Sequence, residues 1–166
     1  MNTLYILLFF VIGLYMGSFY TVVGLRLPKK EDFVFSRSRC DECKHVLSLF
    51  EMVPILSYLF LRGKCRYCGS KIDSLSTYIE FFTGLLFAVA YYSFGFSVEL
   101  FLALGIISLL VIVIVSDLTY LIIPDGVLLF FGIYFIICRF LISGLNKTIY
   151  HIGVGLFLFL VMYIIM

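Results

Sequence analysis

Four cysteines are the residues of this chain whose spacing most directly indicates a chemical site. Cys40 and Cys43 form one CxxC pair, Cys65 and Cys68 form a second, and 21 residues separate the two pairs. This spacing is typical of structural zinc, where four thiolates fill a tetrahedral shell and leave no open position. Two redox-active pairs or four unliganded thiols are the alternatives. Zinc is the stronger prediction, because Gly69 permits the tight turn after the second cysteine of a zinc knuckle.

Two aspartates lie in an otherwise apolar stretch, VIVIVSDLTYLIIPDG, residues 111–126. An acid within or beside a membrane span is costly and indicates a function by default. Asp125 follows Pro124, which suits the first turn of a helix, where free N–H groups favour an anion. Asp125 therefore has a structural explanation. Asp117, at the end of an apolar run, has no such structural explanation. It is therefore our candidate for acid–base chemistry.

A single carboxylate is not sufficient for peptide hydrolysis of the aspartic type. Such enzymes use two carboxylates that lie close together and share one proton. Residues 126–166 contain no Asp or Glu. The other acids near apolar runs are Glu80, expected at the same end as Asp117, and Glu99, expected at the opposite end. Glu80 and Asp125 are therefore only supporting candidates.

The elements that position these residues are predicted to be membrane helices. The chain is 63% hydrophobic and 13% charged, whereas soluble domains are about half apolar and a quarter charged. We therefore expect an all-α polytopic membrane protein with about five spans, since a spanning helix needs roughly 17–25 residues. The charge-free runs that predict them are 3–25, 81–98, 100–116, 118–138 and 148–166.

The basic residues predict the orientation of these spans. Ten of the twelve Lys and Arg lie between Arg26 and Lys71, and loops rich in Lys and Arg stay in the cytoplasm. The 26–76 loop and Asp117 are then cytoplasmic, and the N-terminus is outside. Topology and attraction to anionic lipid explain the charge without nucleic acid.

An apolar segment, HVLSLFEMVPILSYLFLRGK, joins the two cysteine pairs. Pro54 would break an interior helical turn, and a spanning helix here would place the cysteine pairs on opposite sides of the bilayer. The segment is therefore predicted to fold over the knuckles or to lie on the membrane surface.

Five motifs occur along the chain in this order: GSFYTVVGLRLP (17–28), SRSRCDEC, LRGKCRYCGSKI, YIEFFTGLLF (78–87) and SDLTYLIIPD (116–125). Together they resemble the prepilin peptidases, the bacterial type IV prepilin leader peptidases and N-methyltransferases. The resemblance implies that Asp117 is the first catalytic aspartate and that the four cysteines hold a structural Zn²⁺. It also implies leader cleavage of prepilin-like proteins at the cytoplasmic face of the bacterial inner membrane, in pilus, competence or type II secretion systems, and methylation from S-adenosylmethionine.

One departure from the family pattern concerns the second catalytic aspartate, which the family carries in a GxGD motif after its next apolar helix. No GxGD occurs in these 166 residues. We therefore expect a natural truncation or a fragment with an incomplete catalytic pair. The rival hypothesis is a non-catalytic zinc-knuckle membrane protein that binds prepilins or assembly components, and the oligomeric state stays open. The expected parts are a first helix (1–25), a zinc-binding loop domain (26–76) and a partial peptidase membrane domain (77–166).

Overall fold

The described part of the chain is a bundle of four long helices with a compact loop at one end. The computed structural model describes residues 3–32, 40, 42–46, 48, 53–72 and 74–142. Within these residues all regular elements are helical, and four helices are long and apolar enough to cross a membrane. The predicted fifth span, residues 148–166, lies outside the described residues. The helices are α1 (Thr3–Arg26), α2 (Leu56–Phe60), α3 (Leu75–Phe94), α4 (Val98–Tyr120) and α5 (Asp125–Ile142).

The all-helical membrane fold is confirmed, but the helix ends differ from the charge-free runs. Helix α3 begins six residues before the run at 81 and ends at Phe94, because Gly95 takes a left-handed backbone with a φ of 60°. Helix α4 then begins after Ser97, whose hydroxyl accepts a hydrogen bond from the backbone N–H of Leu100. A residue of this type at the N-cap satisfies a free N–H group. Glu99 therefore lies inside the first turn of α4 and does not separate two helices.

The boundary between α4 and α5 also differs from the prediction, lying at the segment 121–124 and not at Asp117. Leu121 ends α4 in the left-handed conformation, with a φ of 54°. The Ser116 hydroxyl donates to the carbonyl of Ile122 at 2.5 Å and fixes this reversal. Pro124 has no N–H to continue a helix, and its carbonyl instead accepts from Val127 as α5 begins. Asp117 is consequently inside the last turn of α4.

Glycines allow α1 and α3 to pack with their backbones in contact. A Cβ built on Gly13 would lie 2.7 Å from the Cα of Gly84, and one on Gly17 would lie 2.9 Å from the Cα of Glu80. Membrane helices associate closely through such small residues. The spacing of Gly13 and Gly17, four residues apart, predicts from the sequence that another helix approaches α1 closely, but it does not predict that this helix is α3.

Polar contacts join α1 to α4 and α4 to α5. The hydroxyls of Tyr20 and Ser108 form a buried hydrogen bond of 2.5 Å between α1 and α4. The Tyr134 hydroxyl donates to the carbonyl of Phe101 at 2.6 Å, which ties α5 to α4. Between α1, α4 and α5 an apolar cleft of about 760 Å³ remains, with Leu27 and Gly126 among its lining residues.

Candidate metal centre and acidic site

Two turns of the same geometry carry the four cysteines. The backbone N–H of Cys40 donates to the carbonyl of His45, five residues on, and the N–H of Cys65 donates to the carbonyl of Ser70, also five residues on. The carbonyls of Cys40 and Cys65 each accept from the residue four positions later. Those residues, Lys44 and Gly69, both have positive φ, 58° and 70°. Gly69 thus takes the role predicted for it, while the first turn places a lysine there.

The two turns bring all four sulfur atoms together. Their Sγ atoms all lie within 4.8 Å of one another. The Sγ atoms of Cys40 and Cys68 are 3.8 Å apart, and those of Cys43 and Cys65 are 3.9 Å apart. Tetrahedral zinc with Zn–S bonds of about 2.3 Å requires sulfur separations of about 3.8 Å. The cluster therefore has the dimensions of a four-thiolate metal site.

The hydrogen bonds around the cluster favour thiolates at two of its positions. The backbone N–H of Cys43 and the Ser70 hydroxyl lower the pKa of Cys40 to about 6. The Ser70 hydroxyl also lowers the pKa of Cys68. The backbone N–H of His45 acts in the same direction on Cys43, but burial and the neighbouring thiols raise its pKa to about 11. A bound cation would offset that repulsion, because metal ligation requires deprotonated sulfur.

His45 is not a ligand in this arrangement. Its ring packs on Tyr67 with the ring centroids 3.6 Å apart, so that it bridges the two cysteine turns. This contact gives His45 a structural role, consistent with a four-cysteine site that needs no further ligand.

Glu80 connects the loop to the membrane bundle. Its side chain is 7% exposed. Its Oε2 accepts from the backbone N–H of Ile55 at 2.9 Å, and its Oε1 accepts from the Ser76 hydroxyl at 3.4 Å. Ile55 has a φ of 59°, a strained conformation for a β-branched residue. The buried carboxylate therefore holds a specific, strained turn of the loop against α3.

Asp117 lies at the same end of the bundle as the loop. It is an exposed residue in the last turn of α4, and its carbonyl accepts from the N–H of Leu121. In that same turn, the ring of Tyr120 lies 5.1 Å from the Lys29 ammonium. Lys29 lies just after the end of α1, so this contact joins the start of the loop to the turn that carries Asp117.

Asp125 is exposed in the first turn of α5, directly after Pro124. This is the position predicted from its proline neighbour, where helix N–H groups favour an anion. Glu99 lies at the opposite end of α4 from Asp117 and is not part of the acidic site.

The structure therefore brings Glu80 and Asp117 to the same end of the bundle as the loop that carries the cysteines. Ile55, Lys29 and Ser70 link or support these groups, and the sequence alone does not predict their roles. Ser70 had one usable signal, because a hydroxyl two residues after the last cysteine often bonds within the turn. A backbone donor such as the N–H of Ile55 leaves no signal in the side-chain pattern.

These features define a multi-pass membrane protein that carries a loop with four cysteines that could hold a metal ion and an acid at the loop end of its helices. The family described as Bacterial Peptidase A24 N-terminal domain matches residues 11–94. That range contains all four cysteines and Glu80.

The prepilin leader peptidase/N-methyltransferase of Bacillus subtilis is 43% identical over 138 residues, which are 83% of this chain and 55% of that protein. The proteins of the same name from Myxococcus xanthus and Vibrio cholerae are 44% and 36% identical, over 73% and 75% of this chain. The chain therefore belongs to the prepilin leader peptidase family.

The chain spans about half the length of the curated relatives it matches: 55%, 36% and 53% of the three proteins named above. The match to the Bacillus subtilis protein covers 138 of the 166 residues, so it can begin no later than residue 29 and end no earlier than residue 138. The matched stretch therefore includes Asp117 and Asp125. No solved structure matches the chain.

Proposed function

We propose that this chain supplies the metal-binding loop and the first catalytic aspartate of a prepilin leader peptidase. Asp117 shares a proton with a second carboxylate and activates water against the peptide bond that ends the leader of a type IV prepilin-like protein. The observation that carries this proposal is the similarity to relatives named for that activity, over a stretch that includes Asp117.

The cysteine cluster holds zinc in this proposal, in a structural role. Cys40, Cys43, Cys65 and Cys68 complete a tetrahedral shell, so no position remains for substrate or water. Zinc thus stabilises the loop and takes no part in peptide cleavage. The methyl transfer named for the relatives would use S-adenosylmethionine and is proposed as a second activity.

The reaction side in this proposal is the cytoplasmic face of the bacterial inner membrane. The ten basic residues of the 26–76 loop support that orientation, by the positive-inside rule. Asp117 lies at the loop end of the bundle, because Tyr120 in the same helical turn contacts Lys29 at the start of the loop. The substrate would therefore present its leader from the cytoplasm. In this proposal Asp125 favours the start of α5 and Glu80 positions the loop, supported by the hydrogen bond from the N–H of Ile55 to the Glu80 carboxylate.

The proposed peptidase activity depends on a second carboxylate that pairs with Asp117. Residues 126–166 contain no Asp or Glu, so a GxGD aspartate is not among them. The second candidate is a zinc-knuckle membrane protein that binds prepilins or assembly components without cleaving them, and the four-sulfur cluster, which could hold a metal ion without any acid, supports it.

Cleavage of a prepilin-like substrate in membranes tests both candidates. The variants are the 166-residue chain, the same chain joined to a segment that supplies GxGD, and the joined chain with Asp117→Asn or Asp125→Asn. We expect cleavage only by the joined chains, with loss of several orders of magnitude for Asp117→Asn and little loss for Asp125→Asn. Cleavage by the 166-residue chain that depends on Asp117 would refute the requirement for GxGD. Binding of the substrate without cleavage by any variant would favour the second candidate.

A further inference from the structure

The segment between the cysteine pairs exposes large apolar side chains that neither the metal site nor the acids explain. In α2, Leu59 is 63% exposed and Phe60 is 83% exposed. Such exposure excludes packing of these two side chains over the cysteine turns, which was one of the two predictions for this segment. An aromatic side chain in water forgoes a large burial contribution, so this surface requires another apolar environment.

The contact between Ile55 and Glu80 sets the height of α2 relative to the membrane. Glu80 is the last charged residue before the apolar run 81–98, and it therefore marks the edge of the hydrocarbon region. The N–H of Ile55 donates to its carboxylate at 2.9 Å, and α2 begins at the next residue. Five helical residues span about 7.5 Å, whereas the headgroup layer of one leaflet is about 5–8 Å thick. Leu59 and Phe60 therefore lie within or next to that layer.

Basic side chains follow α2 directly. Residues 53–72 contain four basic residues and no Asp or Glu, and all four basic residues are exposed. Gly63, with a φ of 66°, closes the turn after α2 against Tyr58, because a Cβ on it would lie 2.8 Å from the Tyr58 hydroxyl oxygen. The turn thus holds the first basic residues beside α2. The four are Arg62, Lys64, Arg66 and Lys71.

We propose that α2 and the turn Arg62–Lys64 form an interfacial anchor that binds the anionic lipid surface of the bilayer crossed by the bundle. Leu59 and Phe60 enter the boundary between headgroups and acyl chains, and Arg62 and Lys64 contact lipid phosphates. Apolar and basic groups in this arrangement are the two contributions that bind a short helix to a membrane surface. Together with the hydrogen bond at Glu80, the anchor fixes the position of the cysteine loop relative to the membrane surface and to the end of the bundle that carries Asp117.

A single tryptophan tests the apolar part of this proposal, because the chain contains none. The Phe60→Trp chain is reconstituted in bilayers of phosphatidylcholine and phosphatidylglycerol, some with acyl chains brominated near the headgroup. We expect blue-shifted emission, strong quenching by brominated lipid and protection from acrylamide. The control is Tyr67→Trp, at a 58%-exposed position on the second cysteine turn, where we expect the reverse.

Acrylamide quenching of the Phe60→Trp chain as strong as that of the Tyr67→Trp chain, without quenching by brominated lipid, would overturn the anchor and leave the surface open for a protein partner. The metal content of each variant shows that its loop is folded. If Phe60→Trp loses metal, Leu59→Trp replaces it and must give the same result for the anchor to stand.

The charged part of the proposal has its own measurement. In mixed bilayers, quenching of the Phe60→Trp chain by brominated phosphatidylglycerol is compared with its quenching by brominated phosphatidylcholine. We expect a preference for the anionic lipid that falls about five-fold for each basic residue removed in Arg62→Gln and Lys64→Gln. Equal quenching by the two lipids when Arg62 and Lys64 are both present would refute phosphate binding by these residues.

Discussion

Substitution of Gly13 by alanine is expected to force α1 and α3 apart. The new Cβ would lie 2.7 Å from the Cα of Gly84 and 2.8 Å from the carbonyl oxygen of Thr83. Carbon atoms prefer separations of about 3.5 Å or more, so the helices must move by about 0.8 Å. Both nearest atoms belong to backbone and cannot rotate away. Overpacking of this kind costs about 1–3 kcal/mol.

The matched control is Gly132→Ala in α5, where a new Cβ meets no atom of the described residues within 4 Å. Both substitutions gain the helix propensity of alanine, about 1 kcal/mol, so their difference isolates the packing cost. We expect Gly13→Ala to be less stable than Gly132→Ala by about 1–3 kcal/mol, a factor of about 5–150 in the folded-to-unfolded ratio. Unfolding in mixed micelles, followed by circular dichroism, measures this difference. Equal stability of the two variants would show that α1 and α3 do not pack through Gly13.

Three further predictions concern the loop. Replacement of Cys65 by serine should remove the bound zinc, of which we expect one ion per chain in the unsubstituted protein. Acidification should also release the zinc, because protons compete for the thiolates. Elemental analysis that finds no zinc in reduced, metal-replete protein would contradict this prediction. Glu80→Ala should speed hydrogen exchange at the Ile55 amide, because the stability of this part of the loop falls by about 1–3 kcal/mol. Glu80→Gln keeps an acceptor oxygen and should retain the protection of that amide. Equal exchange rates in the two variants would exclude the contact. A cysteine at Lys30 should resist an impermeant thiol reagent in intact cells, and labelling there would reverse the proposed orientation.

The cluster of four cysteines could be predicted because its signal is local. Each CxxC pair lies in a single turn. Once the two turns lie next to each other, their four sulfur atoms can form a tetrahedron. Asp125 was equally accessible to prediction, because a neighbouring proline determines where α5 can begin.

The helix ends and the loop attachment were less accessible, for a physical reason. Charge-free runs mark the hydrocarbon region, but a helix continues until its backbone hydrogen bonds end. Gly95 and Ser97 mark the boundary between α3 and α4. Gly95 ends α3 with a positive φ, and Ser97 caps the start of α4. The contact between Glu80 and Ile55 joins a carboxylate to a backbone N–H group 25 residues earlier, and every residue except proline carries such a donor.

The hydrogen bond between Tyr20 and Ser108 has a consequence for the order of assembly during synthesis. The two residues are separated by 88 positions. At about 5–20 residues per second, the partner of Tyr20 is made about 4–18 s later. In that interval α1 can pack only with α3, through Gly13 and Gly84, which are closer in the chain. The first helical pair therefore has to hold together without α4, through these backbone contacts and through ring contacts such as that of Phe9 with Tyr91, whose centroids are 4.7 Å apart. Helix α4 joins the pair later and satisfies a hydroxyl already in the membrane.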